Sequence, residues 1–206
     1  MSEPLIRLSD KDIPAAALVH THAFLTDPYT IYMLRDPKKR PSQLYLLMTL
    51  VLRYSCLFGE VYATAGLEAV AAWMPPGSGR ESYWGMLRAG ALPMIWRVGP
   101  SAIRSYLQLE SLAHELHVRY APQPHWYLSQ LGVEPVFQGQ GYGRRVLTPT
   151  LERIDRDAKA VYLETHNPGA IPFYENLGFK LREEVILPGG GPCMWAMLRD
   201  PQVVKK

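Results

Sequence analysis

The chain has 206 residues, 48% of them hydrophobic and 20% charged, with a formal net charge of +3 and a pI near 8.8. That length and balance fit a single folded domain over 1–206 and exclude intrinsic disorder, while the scattered lysines and arginines, with Lys38-Lys39-Arg40 and Lys205-Lys206 read as solvated ends, exclude a nucleic-acid surface. The two cysteines, Cys56 and Cys193, form neither a disulfide framework nor a metal-binding pair, and no basic-then-apolar leader follows Met1-Ser2-Glu3-Pro4, so a reducing, cytoplasmic setting is expected.

Residues 5–8 read as a short first strand, and Ser9 or Asp10 caps a helix carrying Ile13, Ala16, Ala17, Val19, His20 and Phe24. Asp27-Pro28 breaks it. A second helix follows Pro41; its run over 44–58 is the most apolar in the chain, but it holds Arg53 and is shorter than the roughly 20 residues a bilayer requires, so it reads as a buried helix and no membrane partner is expected. Gly59 separates it from a strand over 60–65, which turns near Gly66 into a hairpin partner over 68–74 ended by Pro75-Pro76-Gly77-Ser78-Gly79. Residues 81–119 form a helical insertion between the third and fourth strands. It is interrupted near Pro93 and near Gly99-Pro100, with apolar faces from Tyr83, Trp84, Leu87, Ile95, Trp96, Ile103, Tyr106 and Leu109. A central strand over 126–133 precedes an amphipathic helix over 142–158, with Leu147, Leu151, Ile154 and Ala158 on one face and Pro149 expected to kink it or reset its hydrogen bonds. Strands over 161–165, 180–187 and 192–198 close the chain, the last two joined by Pro188-Gly189-Gly190-Gly191. This order specifies a mixed α/β domain around a twisted sheet.

Between the central strand and the amphipathic helix lies Gln138-Gly139-Gln140-Gly141-Tyr142-Gly143-Arg144. Alternating glycines let the backbone curl with its N–H groups bare, and the helix that follows adds partial positive charge, which together make a phosphate cradle. A dinucleotide fingerprint starting at Gly139 would need glycine at 144, where Arg144 stands, and no P-loop lysine follows the glycines. What remains is Gln-x-x-Gly-x-Gly, met by Gln138, Gly141 and Gly143 after a strand ending at Val133. Downstream come Leu163-Glu164-Thr165-His166-Asn167-Pro168-Gly169-Ala170 and Pro172-Phe173-Tyr174-Glu175-Asn176-Leu177-Gly178-Phe179. On these linked segments the chain resembles the GNAT superfamily of N-acetyltransferases. There the same loop binds the coenzyme A pyrophosphate, and a strand ending in Asn-x-x-Ala precedes a short helix with an aromatic-Tyr pair and a Leu-Gly-Phe close. It is most similar to puromycin N-acetyltransferase-like members, which share segments like Ala69-Val70-Ala71-Ala72-Trp73 and Cys193-Met194. The resemblance runs from about Leu5 to Arg199, specific toward the C-terminal end and loose before Glu60.

The resemblance implies a GNAT-type twisted central sheet flanked by helices, and transfer of an acetyl group from acetyl-coenzyme A to a primary amine of a small molecule. It puts the donor's diphosphate on the amides of Gln138, Gly139, Gln140, Gly141, Tyr142, Gly143 and Arg144. The pantetheine arm would lie along the backbone of Leu131, Gly132 and Val133 like an added strand, with Asn167 on its other side and Ala170 and Phe173 in contact with it; Phe173 also suits the core. Tyr174 would donate a proton to the departing thiolate, since a phenol with a pKa of about 10 stays protonated where a thiol of about 8.5 begins to ionise; the alternative is a packing aromatic. Glu164 either accepts the amine proton, directly or through water, or is a buried, structurally paired glutamate. Asp27 and Tyr29, with Tyr32, lie where related enzymes bind the acceptor, although Asp27-Pro28 also suits a turn alone. Trp73 and the aromatics of the insertion either line an apolar acceptor pocket or belong to the core. Acetylation of a protein N-terminus or lysine, and a non-catalytic acyl-coenzyme A sensor, are the competing functions. His114-Glu115-Leu116-His117 lacks the His-Glu-x-x-His spacing of zinc proteases, so no metal is expected; His125 and His166 read as isolated, and no Gly-x-Ser-x-Gly elbow occurs. Oligomeric state is not encoded in any of these patterns.

Overall fold

In the computed structural model, which describes residues 4–77 and 83–202, the chain opens with a two-residue strand, β1 (Ile6–Arg7), and a capped 3-10 turn. The Ser9 amide and hydroxyl both donate to Asp12 Oδ2, at 2.9 and 2.7 Å, so the start signal seen in the sequence caps this turn ahead of α1 (Ile13–Phe24). Asp27 does more than end α1. Its Oδ1 accepts from the amides of Tyr29 and Thr30, at 2.9 and 3.3 Å, and starts a further helix, α2 (Pro28–Met33), too short to display a periodicity in sequence. Next come α3 (Arg40–Phe58), β2 (Glu60–Ala63) and β3 (Ala69–Met74).

The insertion holds α4 (Tyr83–Ala89), α5 (Leu92–Val98) and α6 (Pro100–Tyr120). Its breaks fall at Gly90 and Gly99, whose φ values of 100° and 90° no helix continues through. Pro93, expected to interrupt, instead sits in the first turn of α5, where a missing N–H leaves no bond unmade. Trp84 and Trp96 are 83% and 90% exposed, so these two aromatics belong neither to the core nor to the cleft described below. Ser78-Gly79, residues 81–82 and the terminal Lys205-Lys206 lie outside the described residues.

The chain then runs through β4 (Trp126–Val133), α7 (Tyr142–Arg156), β5 (Val161–Thr165), α8 (Ile171–Glu175), β6 (Lys180–Ile186) and β7 (Cys193–Arg199). Helix α7 continues through Pro149, and Ala158, expected on its buried face, is an exposed residue with a φ of 50° just past its end. The strands form one seven-stranded sheet in the order β1-β2-β3-β4-β5-β7-β6, antiparallel at every pairing except β4 with β5. This is a mixed α/β fold of the kind the resemblance implies.

Strand alternation sorts the core. Val70 and Ala72 of β3 face α1 and α3, against Ile13, Ala16, Ala17 and Leu52. Ala69, Ala71 and Trp73 face the opposite side, against Val146, Leu147, Leu151 and Ile154 of α7. Trp73, a candidate for acceptor binding, is thus fully buried beneath α7, with no part in the cleft described below. A third cluster joins α2, α3 and α6 over Tyr162 of β5 and Met194, Ala196 and Leu198 of β7. Arg199, itself buried, reaches both oxygens of Asp155 at 2.6 and 2.7 Å and donates from Nε to the Leu177 carbonyl at 2.7 Å, tying β7 to the end of α7 and to the turn after α8. Among the described residues no helix is long and apolar enough to cross a membrane.

Candidate active site

The parallel pair β4 and β5 is joined at two positions only, Trp126 with Val161 and Tyr127 with Tyr162. Beyond them the strands part, and the β5-facing edge of β4 runs on to Val133 without a strand partner. A bulge accompanies the parting. Against β3, Leu128 pairs with Trp73 and Gln130 with Ala72, so Ser129 is the extra residue, its Oγ donating to the Ala72 carbonyl at 3.3 Å. The extra residue shifts the alternation, so that Leu131 and Val133 pack toward the α7 side as Leu128 does. Gly132 is turned the other way. A Cβ there would lie 2.1 Å from His20 Cδ2, so this glycine admits the α1 histidine, whose Nε2 faces the Val70 carbonyl at 3.2 Å and whose pKa burial drives down to about 4.

The parted strands open into a cleft of about 1660 Å³. At one end lies the glycine turn. Gly139 and Gly141 have φ values of 73° and 85°, the left-handed region that glycine enters without strain, and Gly141 is the residue preceding α7. No side chain caps that helix, so its first N–H groups are left for a ligand, and Arg144 stands beside them in the cleft wall. This bare helix start is the observation that fits a diphosphate. Gln138 Nε2 donates to the Val133 carbonyl at 3.1 Å and Gln140 Nε2 to the Val136 carbonyl at 2.8 Å, so both glutamines brace the turn. Leu131, Val133, Gln138, Gly139, Gly141, Tyr142, Gly143 and Arg144 line the cleft; Gln140 and Gly132 do not.

Across the gap, Asn167 Oδ1 accepts from the Gly169 amide at 2.9 Å, shaping the turn that leads into α8. Ala170, Phe173 and Tyr174 complete this wall. The Phe173 ring lies over Gly143, where a Cβ would come within 3.2 Å of it. Tyr174 is buried, and burial alone raises its pKa above the ordinary phenol value.

The other end of the cleft is assembled from α2, α6, the start of β4 and the end of β5. Glu164 alternates with Leu163 and so shares the face of Tyr162, toward α6. Burial pushes its carboxyl up to about 7, against the opposing pull of the Tyr127 and Tyr162 phenols beside it, and its Oε1 has no hydrogen-bond partner. Tyr29 stacks on His166 at 4.9 Å, and Asp27 lies close enough for the two rings to feel its charge. His166 is therefore not isolated, as its position in the sequence suggested; its Nδ1 donates to the Cys193 carbonyl at 3.1 Å, and burial holds it below the usual imidazole value.

Helix α6 supplies Tyr106, one of the insertion aromatics weighed for an acceptor pocket, and three polar residues that sequence reasoning did not place in the site. Tyr106, Glu110, His114 and His117 recur at helical spacing and all line the cleft. That polar stripe on an inserted helix was the available signal. His117 stacks on Tyr162 at 4.5 Å and meets His125 ring nitrogen to ring nitrogen, so one ring donates to the other; burial, then the neighbouring His125 and His114, push its pKa down to about 4.

Comparisons with known proteins point to the family that the glycine turn resembles. The sequence model of the Acetyltransferase (GNAT) family matches residues 102–179, from α6 through Leu177-Gly178-Phe179. An uncharacterised N-acetyltransferase of Schizosaccharomyces pombe is 25% identical, the match covering 97% of this chain and 84% of that one. Among solved structures, a histone acetyltransferase HPA2-related acetyltransferase from Corynebacterium glutamicum superposes with a TM-score of 0.69 at 22% identity over the whole of both chains. The polyamine N-acetyltransferase of Drosophila melanogaster does so with a TM-score of 0.65 at 14% identity, covering 96% of this chain and 99% of that one. These likenesses support an acetyl-coenzyme A-dependent acyltransferase.

Proposed function

We propose that this acetyltransferase moves the acetyl group of acetyl-coenzyme A onto the primary amine of a small molecule. One observation carries the reading: the bare helix start at the glycine turn and the buried carboxyl of Glu164 open into a single cleft, one at each end of the gap between β4 and β5. The coenzyme supplies the acyl group as a thioester, its diphosphate held by the amides of 138–144 and Arg144 and its arm along 131–133. Glu164, with a pKa near the working pH, takes the proton from the attacking ammonium, directly or through water. An amide of β4 faces the developing oxyanion. As the carbon–sulfur bond breaks, Tyr174 hydrogen-bonds the developing thiolate and gives it its proton; the raised pKa keeps the phenol protonated until the sulfur is charged.

A small acceptor is favoured by α6, which walls the cleft where a peptide would need an open groove. The Drosophila protein forms N-acetylagmatine, and at 14% identity that likeness supports the fold, leaving the acceptor class to rest on the cleft. The puromycin-type resemblance fails chiefly in the N-terminal third and the insertion, where the acceptor would sit, and names no acceptor here. The test is a panel of small amines and N-terminal peptides assayed for release of free thiol, with Tyr174→Phe as the control. Turnover of small amines but not peptides is expected; peptides turned over in preference would overturn the reading, and tight donor binding without turnover of any amine would replace it with a sensor.

A further inference from the structure

An amine nitrogen that enters as an ammonium sheds two protons in one turnover. One leaves before attack, to free the lone pair, and the other once the carbon–nitrogen bond has formed, since the product amide is neutral. Glu164 can hold one of them, because a carboxyl that has taken a proton is no longer a base near neutral pH. The chemistry therefore calls for a second proton acceptor on the Glu164 side of β5.

His166 meets that demand by geometry. It stands two residues beyond Glu164, and Tyr29, stacked on it at 4.9 Å, belongs to the same cluster as Tyr162, whose face Glu164 shares. Both Glu164 and His166 line the cleft. A carbonyl oxygen only accepts, so the 3.1 Å contact of Nδ1 with the Cys193 carbonyl puts the proton of the neutral ring on Nδ1 and leaves the lone pair on Nε2. Stack and hydrogen bond together fix the plane of the ring. Burial keeps the imidazole neutral near pH 7, outweighing Asp27 and the Cys193 carbonyl, which pull the other way. Asp27 is then the counter-charge when the ring takes a proton, and because burial raises its own carboxyl, a cation beside it favours both groups. The other titratable groups around the pair are Glu164 and Tyr29, Glu184 of β6, which accepts from the Cys193 thiol at 3.4 Å, and Glu110 of α6, whose charge reaches Tyr29.

We propose that His166 is the second base of the site: Glu164 takes the proton that leaves the ammonium before attack, and Nε2 of His166 takes the one that leaves the nitrogen after the carbon–nitrogen bond forms. This rests on the small-amine reading above and adds a catalytic residue to it. The protons balance. Tyr174 gives its own to the sulfur, one of the two captured protons returns to the Tyr174 phenolate, and the other passes to water, so one proton is released for each amide formed.

The test uses the full-length protein and begins without substrate. In nuclear magnetic resonance of isotope-labelled histidine, the His166 ring, assigned by its loss in His166→Asn, should show a protonated Nδ1 and a bare Nε2 at neutral pH. A proton on Nε2 would overturn the inference. Kinetics then compares the fastest straight-chain primary amine of the panel with its β,β-difluoro analogue in mildly alkaline buffer, where the analogue enters largely deprotonated and sheds a single proton that Glu164 alone can take. The His166→Asn side chain keeps an amide to donate to the Cys193 carbonyl and removes the lone pair of Nε2. It should lower kcat for the parent amine by about a hundredfold, with KM within a few-fold, and kcat for the analogue far less. The ratio of the two amines is internal to each protein sample, so a partly unfolded variant still reports it. Equal losses on both amines would make His166 a structural residue and leave the small-amine reading standing, whereas a wild type that turns over no amine would take both readings down.

Discussion

The two ends of the cleft are built by different means. The glycine turn is local: Gly139, Gly141, Arg144 and the start of α7 follow one another in the chain, and their conformation is dictated by residues that have no side chain to strain. The acceptor end is composite. Asp27 comes from the cap of α2, Glu110 and His117 from α6, Tyr127 from β4, Glu164 from β5 and His166 from just past its end, so its chemistry exists only once the sheet and the insertion are packed. A local site tolerates change elsewhere in the fold, whereas a composite one can be retuned by moving a single helix.

The sharpest way to break that contrast is at Glu164. Glu164→Gln should lower kcat by about a thousandfold while donor affinity, measured by calorimetry, stays within a few-fold. In the wild type, kcat/KM should climb with pH and level off above about 7, because the raised carboxyl is ionised only there; the variant should lose that limb. The same shift affects folding. A carboxyl whose native pKa exceeds its unfolded value binds its proton more tightly when folded, so its contribution to stability declines as pH rises from the ordinary carboxylate range to about 7. Denaturant midpoints should show a shallower decline over that window in Glu164→Gln than in the wild type.

Next in size, Gly141→Val puts a β-branched residue at a φ of 85° and should weaken coenzyme A binding roughly a hundredfold. Unaltered affinity in the folded variant would remove the turn from the donor site. Tyr174→Phe should cost about tenfold to a hundredfold in kcat with little change in KM and with the pH limb retained; wild-type rates would leave Tyr174 as a packing residue. The smallest functional effect is expected at Gly132. Gly132→Ala should cost about 1–3 kcal/mol of stability, read from urea midpoints, because its methyl would collide with the His20 ring. Folded protein should still bind coenzyme A, which would separate this glycine from those at 139 and 141.

The same division explains what the sequence made legible. The bounds of β4 and β5, the glycine turn and the Asn167 turn follow from spacing within a few residues, and each stands where the spacing placed it. Trp73 did not, because strand alternation says that residues face opposite ways without saying which way the cleft lies. Glu110, His117 and Tyr127 were missed because only tertiary packing brings them into one cleft with Glu164. His166 seemed solitary for the same reason, its partners Tyr29 and Asp27 lying far back in the chain. Helix α2 was hidden by its brevity, even though its cap, Asp27, was in plain sight.

The stretch of β4 that lacks a neighbour is a strand edge in the middle of a sheet, enclosed by helices instead of standing at a rim. Open rims invite other polypeptides to zip onto them and seed aggregation. Here the opening is recessed, so a slender extended molecule can lie down in it while a foreign strand is kept out by the walls. A thiol-bearing arm that fills the space would stitch the two halves of the sheet together, and the folded protein should melt at a higher temperature in its presence.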